Sequence, residues 1–239
     1  MGKRLFAIGD IHGDLDALKN LINFLDLQED DHLIFLGDYV DRGPDSYGVI
    51  EYLLELDQHY KCHFILGNHE EIMLKTVEGD RRYARLWVEI GGNKTLLSYD
   101  SESSHSFARS IPSTHLSFLR EKCLPFYIQD TYIFTHASWD ITRPAHKQDR
   151  NTLRYCFLKD SFLSFNSKTS IICGHSSMAT GRPMKRGNIT CIDTIYTGWL
   201  TAYDVTNECF YQAHNDKKTR ILQKADPWNL KASRGLQQS

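Results

Sequence analysis

The fold is decided by the stretch Gly-Asp-Tyr-Val-Asp-Arg-Gly, which occupies residues 37–43. It directly follows the apolar run Leu33–Leu36, which is typical of a buried β-strand. The two glycines let the backbone turn sharply where that strand ends. The two aspartates and the arginine between them are residue types that a simple surface turn does not need. The pattern therefore indicates a strand that ends in a ligand-binding loop.

Two other stretches repeat this plan. The apolar residues 5–8 lead into Gly-Asp-Ile-His-Gly at 9–13, and residues 62–66 lead into Gly-Asn-His-Glu at 67–70. Each is a short apolar strand candidate that ends in a glycine followed at once by a residue type that binds metals. This recurrence is the main sequence evidence for function.

Helices are predicted after each of these loops. Leucine and isoleucine recur at helical spacing over residues 15–25, and Asp14 is placed to cap that helix. Asp45 and Ser46 start a second helix, and a third is expected to continue from Glu71 through Leu74. The resulting β-α-β-α-β-α order favours an α/β fold with parallel strands, whose carboxyl ends meet at one edge of the sheet.

The rest of the chain divides into three parts. Residues 79–122 carry helix candidates and a serine-rich loop, and we interpret them as an insertion that caps the site. Strands are predicted at Phe126–Gln129, Tyr132–Thr135, Ser170–Cys173, Ile189–Asp193, Leu200–Asp204 and Cys209–Ala213. We therefore predict a single domain over residues 1–216 and a polar, loosely held tail over 217–239, with Trp228 as its candidate anchor.

Composition excludes several classes of protein. The 239 residues are 41% apolar and 24% charged, which is ordinary for a globular protein. The net charge of −2 gives no footprint for nucleic acid or membrane binding, and no apolar run is long enough to span a bilayer. No signal peptide is expected, because Gly9 and Asp10 interrupt the first apolar run. Six scattered cysteines without a Cys-x-x-Cys pair favour a reduced, cytoplasmic protein, which we expect to be a monomer.

Six candidate metal ligands follow predicted strands. Asp10 and His12 lie two residues apart, so their side chains share one face of an extended segment. The other four are Asp38, Asn68, His136 and His175. Carboxylate, amide and imidazole ligands without thiolates suit a hard or borderline divalent ion. Six ligands are too many for one tetrahedral site and suit two ions that share a carboxylate.

The three loop motifs, in this order and followed by two single histidines, resemble the calcineurin-like metallophosphoesterase superfamily. Within it they resemble the bacterial and phage-like branch of serine/threonine-specific phosphoprotein phosphatases. That branch is marked by Gly-Asp-x-His-Gly, Gly-Asp-x-Val-Asp-Arg-Gly and Gly-Asn-His-Glu, all of which stand here. The resemblance runs from about Leu5 to Ala213 and implies an α/β/β/α sandwich, with two central mixed sheets flanked by helices. It further implies hydrolysis of phosphoserine or phosphothreonine in proteins.

The resemblance implies a binuclear metal centre. Asp10, His12 and a bridging Asp38 would hold one ion. The second ion would be held by Asp38, Asn68, His136 and His175. Manganese is the expected metal, with iron, zinc, nickel or cobalt as alternatives. A hydroxide that bridges the two ions would attack phosphorus directly, without a phosphoenzyme.

The resemblance also implies the catalytic residues. Arg42 would bind the phosphate oxygens, and His69 would protonate the departing alkoxide while Asp41 orients its imidazole. The family places a second phosphate-binding arginine beside a tryptophan, and this sequence departs from that pattern. The nearest match is Arg154 in Thr-Leu-Arg-Tyr-Cys at residues 152–156, which we prefer over Arg150.

Two further residues have weaker interpretations. Tyr196 falls where some relatives place an aromatic ring over the metal site. Glu70 is interpreted as favouring the start of a helix by its charge and is left out of catalysis.

Two alternative functions stay open. One is hydrolysis of symmetrical dinucleoside polyphosphates such as diadenosine tetraphosphate. Relatives of that kind tend to lose the second aspartate of the second motif and to carry Gly-Asn-His-Asp, whereas Asp41 and Glu70 are both present here. The other is a non-catalytic phosphate-binding module, which would require lost ligands, and none of the six is lost.

Overall fold

The computed structural model describes residues 3–101, 103–104, 106–158 and 168–227. Within these ranges the strands are β1 (Leu5–Ile8), β2 (His32–Phe35), β3 (Lys61–Ile65), β4 (Cys123–Leu124), β5 (Phe126–Gln129), β6 (Tyr132–Thr135), β7 (Ser170–Cys173), β8 (Met184–Arg186), β9 (Ile189–Cys191), β10 (Trp199–Asp204), β11 (Cys209–His214), β12 (Thr219–Leu222) and β13 (Asp226–Pro227). The α-helices are α1 (Leu15–Leu25), α2 (Ser46–His59), α3 (Asn68–Val77), α4 (Arg81–Trp87), α5 (Asn93–Ser98), α6 (Phe107–Ser110), α7 (Ser113–Ser117) and α8 (Arg150–Arg154). Short π-helical segments at Val88–Gly92 and Phe118–Lys122 continue α4 and α7.

The strands form two mixed sheets. The first has seven strands in the order β12-β11-β10-β1-β2-β3-β4, and the second has six in the order β13-β8-β9-β7-β6-β5. Strands β1 to β4 run parallel, as the β-α-β pattern predicts, while β10 pairs antiparallel with β1. In the second sheet β6, β7 and β9 are parallel neighbours. Parallel strands in both sheets place their carboxyl ends, and the loops that follow, at a common edge.

Alternating side chains explain the layers. In β1, Phe6 and Ile8 join the core beneath the helices, while Leu5 and Ala7 join a core shared with the second sheet. This two-residue period buries both faces of the strand. The second sheet repeats it at its centre, where Ile172 faces the first sheet and its neighbours Ile171 and Cys173 face outward. The predicted sandwich of two sheets between helical layers is confirmed.

The helices that follow the first two loops begin at the predicted caps. The Asp14 carboxylate accepts a hydrogen bond from the Ala17 amide at 3.0 Å, and Asp45 accepts one from Gly48 at 2.7 Å. Each cap satisfies an amide that the first helical turn leaves free. Both helices therefore start directly behind the loops that carry the candidate ligands.

The predicted tail boundary at residue 216 is too early. Strand β12 extends the first sheet and β13 joins the edge of the second, so ordered structure continues to residue 227. The polar composition of β12 led us to predict a loose tail. An edge strand is half-exposed, however, and tolerates polar side chains that form hydrogen bonds within the sheet. Arg220 donates to Gln212 at 2.8 Å and lies 4.0 Å over the Trp199 ring. The expected anchor Trp228 lies outside the described residues.

The segment interpreted as a capping insertion is helical and packs onto the first sheet. Its largest buried side chains, Trp87, Phe107 and Phe118, belong to the core beneath the helices. Since it shares that core, it lies within the domain. None of the helices in the described ranges is both long and apolar enough to cross a membrane.

A pair of histidines at the opposite end of the strands makes stability depend on pH. His32 is buried, and burial, together with the nearby His63, Lys61 and Lys3, lowers its pKa to about 4. The ordinary pKa of histidine is about 6.5, so between pH 4 and 6.5 the unfolded chain binds a proton that the folded chain does not. Stability must therefore rise with pH across that window.

We expect His32→Phe to flatten this dependence, because the ring can still pack against His63 and Tyr127 but no longer titrates. The free energy of unfolding of the wild type, relative to that of the variant, should change by about 1–2 kcal/mol between pH 4.5 and 7. Urea unfolding at a series of pH values measures it. The exposed His59 provides the control, since His59→Phe should keep the wild-type slope. An unchanged slope in His32→Phe would contradict the assignment.

Candidate metal centre

The loops after five strands converge at one edge of the sandwich. Asp10, Asp38 and Asn68 follow β1, β2 and β3, while His136 and His175 follow β6 and β7. They meet at a pocket of about 600 Å³. The candidate site residues that line it are Asp10, His12, Asp38, Arg42, Asn68, His69, His175 and Tyr196. The topology alone therefore brings together side chains that are up to 186 residues apart in the sequence.

The backbone is strained where these side chains project. The residues in the left-handed region, with φ between 48° and 73°, include His12, Asp38, Asp41, Arg42 and His175. This region is unfavourable for residues with a side chain, and such strain concentrates at functional sites. Gly37 has φ 101°, and a Cβ there would lie 2.7 Å from the Gly67 nitrogen. Only glycine fits between these loops.

The imidazoles are oriented by backbone carbonyls. His12 Nδ1 lies 3.0 Å from the carbonyl oxygen of Val40, and His136 Nδ1 lies 2.9 Å from that of Leu36. A carbonyl oxygen only accepts, so each Nδ1 carries the hydrogen and donates it. The lone pair of each Nε2 then points into the site, which is how histidines are held when they bind metals.

Several acceptors face one another without a proton between them. His136 Nε2 lies 3.0 Å from the Asn68 amide oxygen and 3.4 Å from Asp38 Oδ1. His12 Nε2 lies 3.6 Å from Asp38 Oδ2, but it differs from these acceptors because it already accepts from Arg42 Nη1 at 2.7 Å. Within the described residues, the buried Nε2 of His175 has no hydrogen-bond partner. Lone pairs that converge in this way need a cation to satisfy them, and the donor set fits divalent metal ions.

The protonation of these groups also fits metal binding. Burial, followed by the charges of Arg42 and His69, lowers the pKa of His12 well below its usual value. Burial and the neighbouring His136 lower the pKa of His175 to about 3. Burial alone would raise the pKa of Asp38, but the surrounding histidines hold that pKa well below its usual value. These directions favour neutral His12 and His175 and an ionised Asp38, which are the forms that bind metals.

Two groups of three potential ligands share Asp38. Ligand atoms of Asp38 with His12 and His69, and of Asp38 with His136 and His175, lie within 4.8 Å of one another. Asp38 is thus the one residue common to both groups, and its bridging role stays a prediction. Asp10 stands beside the second group, where both of its oxygens accept from the His175 amide at 3.1–3.2 Å.

Asp41 and His69 form a buried pair. The His69 Nδ1–H donates to Asp41 Oδ2 at 2.7 Å, and neither side chain is more than 2% exposed. The capping insertion holds the carboxylate, because Trp87 Nε1 donates to Asp41 Oδ1 at 2.9 Å and Thr95 Oγ1 donates to the same atom at 2.6 Å. Trp87 and Thr95 could not be recognised from the sequence, since they come from another part of the chain.

Arg42 points into the pocket. Its Nη1 donates to His12 Nε2 at 2.7 Å, and its Nε donates to the carbonyl oxygen of Ile90 at 3.3 Å. The half-exposed Tyr196 ring lies 4.7 Å from the centre of the guanidinium, so a cation–π contact steadies it. An arginine held over a metal site is well placed to bind phosphate oxygens.

Arg154 is not brought to this pocket. Its guanidinium pairs with the buried carboxylate of Glu71, and so does that of Arg150. Arg154 therefore has a partner other than the pocket, and its role as the second phosphate-binding arginine stays a prediction. Arg150 instead lines an adjoining cavity of about 400 Å³, which shares Leu86 and Tyr155 with the metal pocket.

Glu70 does more than favour the start of α3. Its carboxylate accepts four backbone hydrogen bonds, from Asp38 at 2.9 Å, Tyr39 at 2.7 Å, Val40 at 3.2 Å and Gly67 at 3.0 Å. It is fully buried and ties the loop after β2 to the loop after β3. Its position next to His69, at the end of the Gly-Asn-His-Glu motif of candidate site residues, is the sequence feature that could have indicated this larger structural role.

Comparison with known proteins agrees with this geometry. A family model described as calcineurin-like phosphoesterase matches residues 3–206. The asymmetrical bis(5'-nucleosyl)-tetraphosphatase PrpE of Oceanobacillus iheyensis is 24% identical over 204 residues, which cover 77% of this chain and 70% of the relative. Serine/threonine-protein phosphatase 2 of Escherichia coli is 31% identical over 121 residues, covering 50% of this chain and 52% of the relative.

Two further comparisons bear on fold and coverage. A symmetrical bis(5'-nucleosyl)-tetraphosphatase of Legionella pneumophila is 43% identical over 75 residues, which span 31% of this chain but only 26% of that protein. A solved structure provisionally described as a diadenosine tetraphosphatase superposes with a TM-score of 0.67 at 21% identity, covering 89% of this chain and 93% of that one. At this identity the likeness shows the fold, which confirms the predicted architecture.

The Glu70 clamp generates a prediction for stability. Glu70→Gln keeps one acceptor oxygen but turns an amide group towards backbone N–H groups that need an acceptor. We expect a loss of about 2–4 kcal/mol in the free energy of unfolding of the metal-free protein, measured in urea. Glu78→Gln on the surface of the same region is the control and should change stability by less than about 0.5 kcal/mol. A Glu70→Gln variant as stable as the wild type would show that the clamp is dispensable.

Proposed function

Because the chain belongs to the calcineurin-like phosphoesterase family, we propose that it hydrolyses phosphomonoesters, with phosphoserine and phosphothreonine in proteins as substrates. The observation that supports this most is the buried pair of His69 and Asp41 beside the candidate metal centre. Two divalent ions, manganese first, would be held by Asp10, His12, Asp38, Asn68, His136 and His175. When bound, such ions activate a water molecule and neutralise charge on the phosphoryl group.

His69 is placed to supply a proton. Its Nδ1 is occupied by Asp41, so Nε2 faces the pocket, 4.0 Å from Asp38 Oδ2. Burial alone would lower the pKa of His69, but the carboxylates of Asp38 and Asp41 outweigh burial and raise that pKa. This direction favours the protonated imidazole, which is the form that a general acid needs.

This proton matters because of the leaving group. In hydrolysis of a serine or threonine phosphate, a water oxygen bonds to phosphorus and the bond from phosphorus to the side-chain oxygen breaks. The departing oxygen is an alkoxide, which is a poor leaving group until it takes the proton from His69 Nε2. Arg42 binds the phosphate oxygens while this happens, because its planar guanidinium can form two hydrogen bonds at once.

The comparisons favour a second candidate, hydrolysis of dinucleoside tetraphosphates, because relatives carry that name. Its leaving group is a nucleotide phosphate, which departs as a stable anion with little need for a proton donor. The two candidates therefore make different demands on the same pair of residues. The Asp41–His69 pair favours the monoester.

Phosphate release should separate the two candidates. Metal-stripped protein is reloaded with Mn²⁺ and given either a phosphothreonine peptide or diadenosine tetraphosphate, with His69→Asn as a matched variant. We expect the peptide to be hydrolysed faster, and His69→Asn to lower its kcat by about 10²–10⁴. Faster turnover of the dinucleotide would overturn the substrate and keep the phosphoesterase, whereas no turnover of either would favour the non-catalytic module.

Asp41→Asn tests the proton transfer itself. The amide keeps the size of the carboxylate, but it removes the charge that favours protonated His69. We expect kcat to fall by about 10²–10³ for alkyl phosphates and by less than about 10 for p-nitrophenyl phosphate, whose phenolate leaves without a proton. Initial rates on the two substrates measure this. Equal losses on both would refute the orienting role of Asp41.

A further inference from the structure

One buried carboxylate at the metal centre has no assigned role. Asp193 follows β9, is 1% exposed and lines the same pocket as Asp10 and His12. Its Oδ2 accepts a hydrogen bond from Ser177 Oγ at 2.7 Å. Its Oδ1 is buried and lacks a hydrogen-bond partner within the described part of the chain. A buried carboxylate oxygen without a donor is costly, so this atom calls for a ligand.

The loop after β7 prepares both carboxylates on this side. The backbone amide of His175 donates to Asp10, and Ser177, two residues later, fixes one oxygen of Asp193. The next amide, that of Met178, donates to the Asp193 carbonyl at 2.8 Å. Ser177 holds Oδ2, and the Ile195 amide also acts on this carboxylate, but Oδ1 itself has no donor within hydrogen-bond distance among the described residues.

Repulsion between neighbouring carboxylates further favours a bound cation at this position. Asp10, Asp38 and Asp193 are each at most 2% exposed and all line this pocket, so three buried carboxyl groups lie close together. Arg42 is the cation that acts on Asp193, but its guanidinium donates to His12 and Ile90. The balance of charge on the Asp10 side is therefore negative, and a divalent ion would compensate it.

We propose that Asp193 belongs to the first metal site, where its Oδ1 binds the ion held by Asp10 and His12, directly or through one water molecule. This proposal rests on the metal centre of the proposed function, and it adds a carboxylate to the six ligands that the resemblance implies. Asp193 would raise the affinity of this site for the ion. The bound ion, in turn, would offset the free-energy cost of burying the Asp193 carboxylate.

The test is metal binding by Asp193→Asn, which has the same shape without the charge. Mn²⁺ is titrated into metal-free full-length protein and followed by calorimetry and electron paramagnetic resonance. We expect one of two Mn²⁺ sites to weaken by about 10–100-fold, while the other changes by less than about threefold. The metal-free variant should also melt about 2–5 °C higher than the wild type, since an uncompensated buried charge is gone.

Two further variants keep the test sharp. Ser177→Ala preserves the charge but releases the carboxylate, and should weaken the same site by about 3–10-fold. Asp204→Asn removes another fully buried carboxylate, one bonded to Asn207 and remote from the pocket, and should leave both sites unchanged.

The outcomes separate this proposal from the proposed function. If the wild type binds two Mn²⁺ ions and Asp193→Asn binds both equally well, Asp193 has no part in the site and the proposal is overturned. A metal-free Asp193→Asn protein that melts below the wild type would equally overturn it, because the carboxylate would then be structural. If the wild type binds no Mn²⁺, the metal centre itself fails.

Discussion

Five carboxylates are buried within one small region, and the structure of the site follows from the electrostatic cost of keeping them there. They are Asp10, Asp38, Asp41, Glu70 and Asp193, none more than 2% exposed. Each is stabilised differently. The Glu70 carboxylate accepts hydrogen bonds from four backbone amides. The Asp41 carboxylate accepts them from an indole, a hydroxyl and an imidazole, and the Asp38 carboxylate lies among histidines. The least compensated pair, Asp10 and Asp193, lies where a divalent ion would bind.

This difference separates the rigid parts of the site from those that await a ligand. A carboxylate satisfied by amides, such as Glu70, fixes the loops whether or not metal is present. A carboxylate that faces lone pairs, such as Asp38, is stable only near cations. Asp38 and His175 have left-handed backbone conformations. The hydrogen-bonded loops stabilise these conformations, which direct the two side chains towards the candidate metal centre.

The sequence predicted which loops meet at this edge of the sandwich because local rules govern their placement. A strand, a glycine and a ligand recur three times, and parallel strands bring their ends together whatever the rest of the chain does. The partners of Asp41 were out of reach, since Trp87 and Thr95 arrive through packing of the insertion. Strand β12 was also missed. It is an edge strand with one solvent-exposed face, so its composition resembles that of a loop.

The insertion connects fold to substrate. Metal ligands bind a phosphoryl group in either candidate reaction, so they do not distinguish a monoester from a dinucleoside polyphosphate. The distinction lies in the fate of the leaving oxygen, and that depends on whether His69 carries a proton. Asp41 controls the proton, and Trp87 and Thr95 hold Asp41. In the proposed function, substrate choice therefore depends on the hydrogen bonds that Trp87 and Thr95 of the insertion make to Asp41.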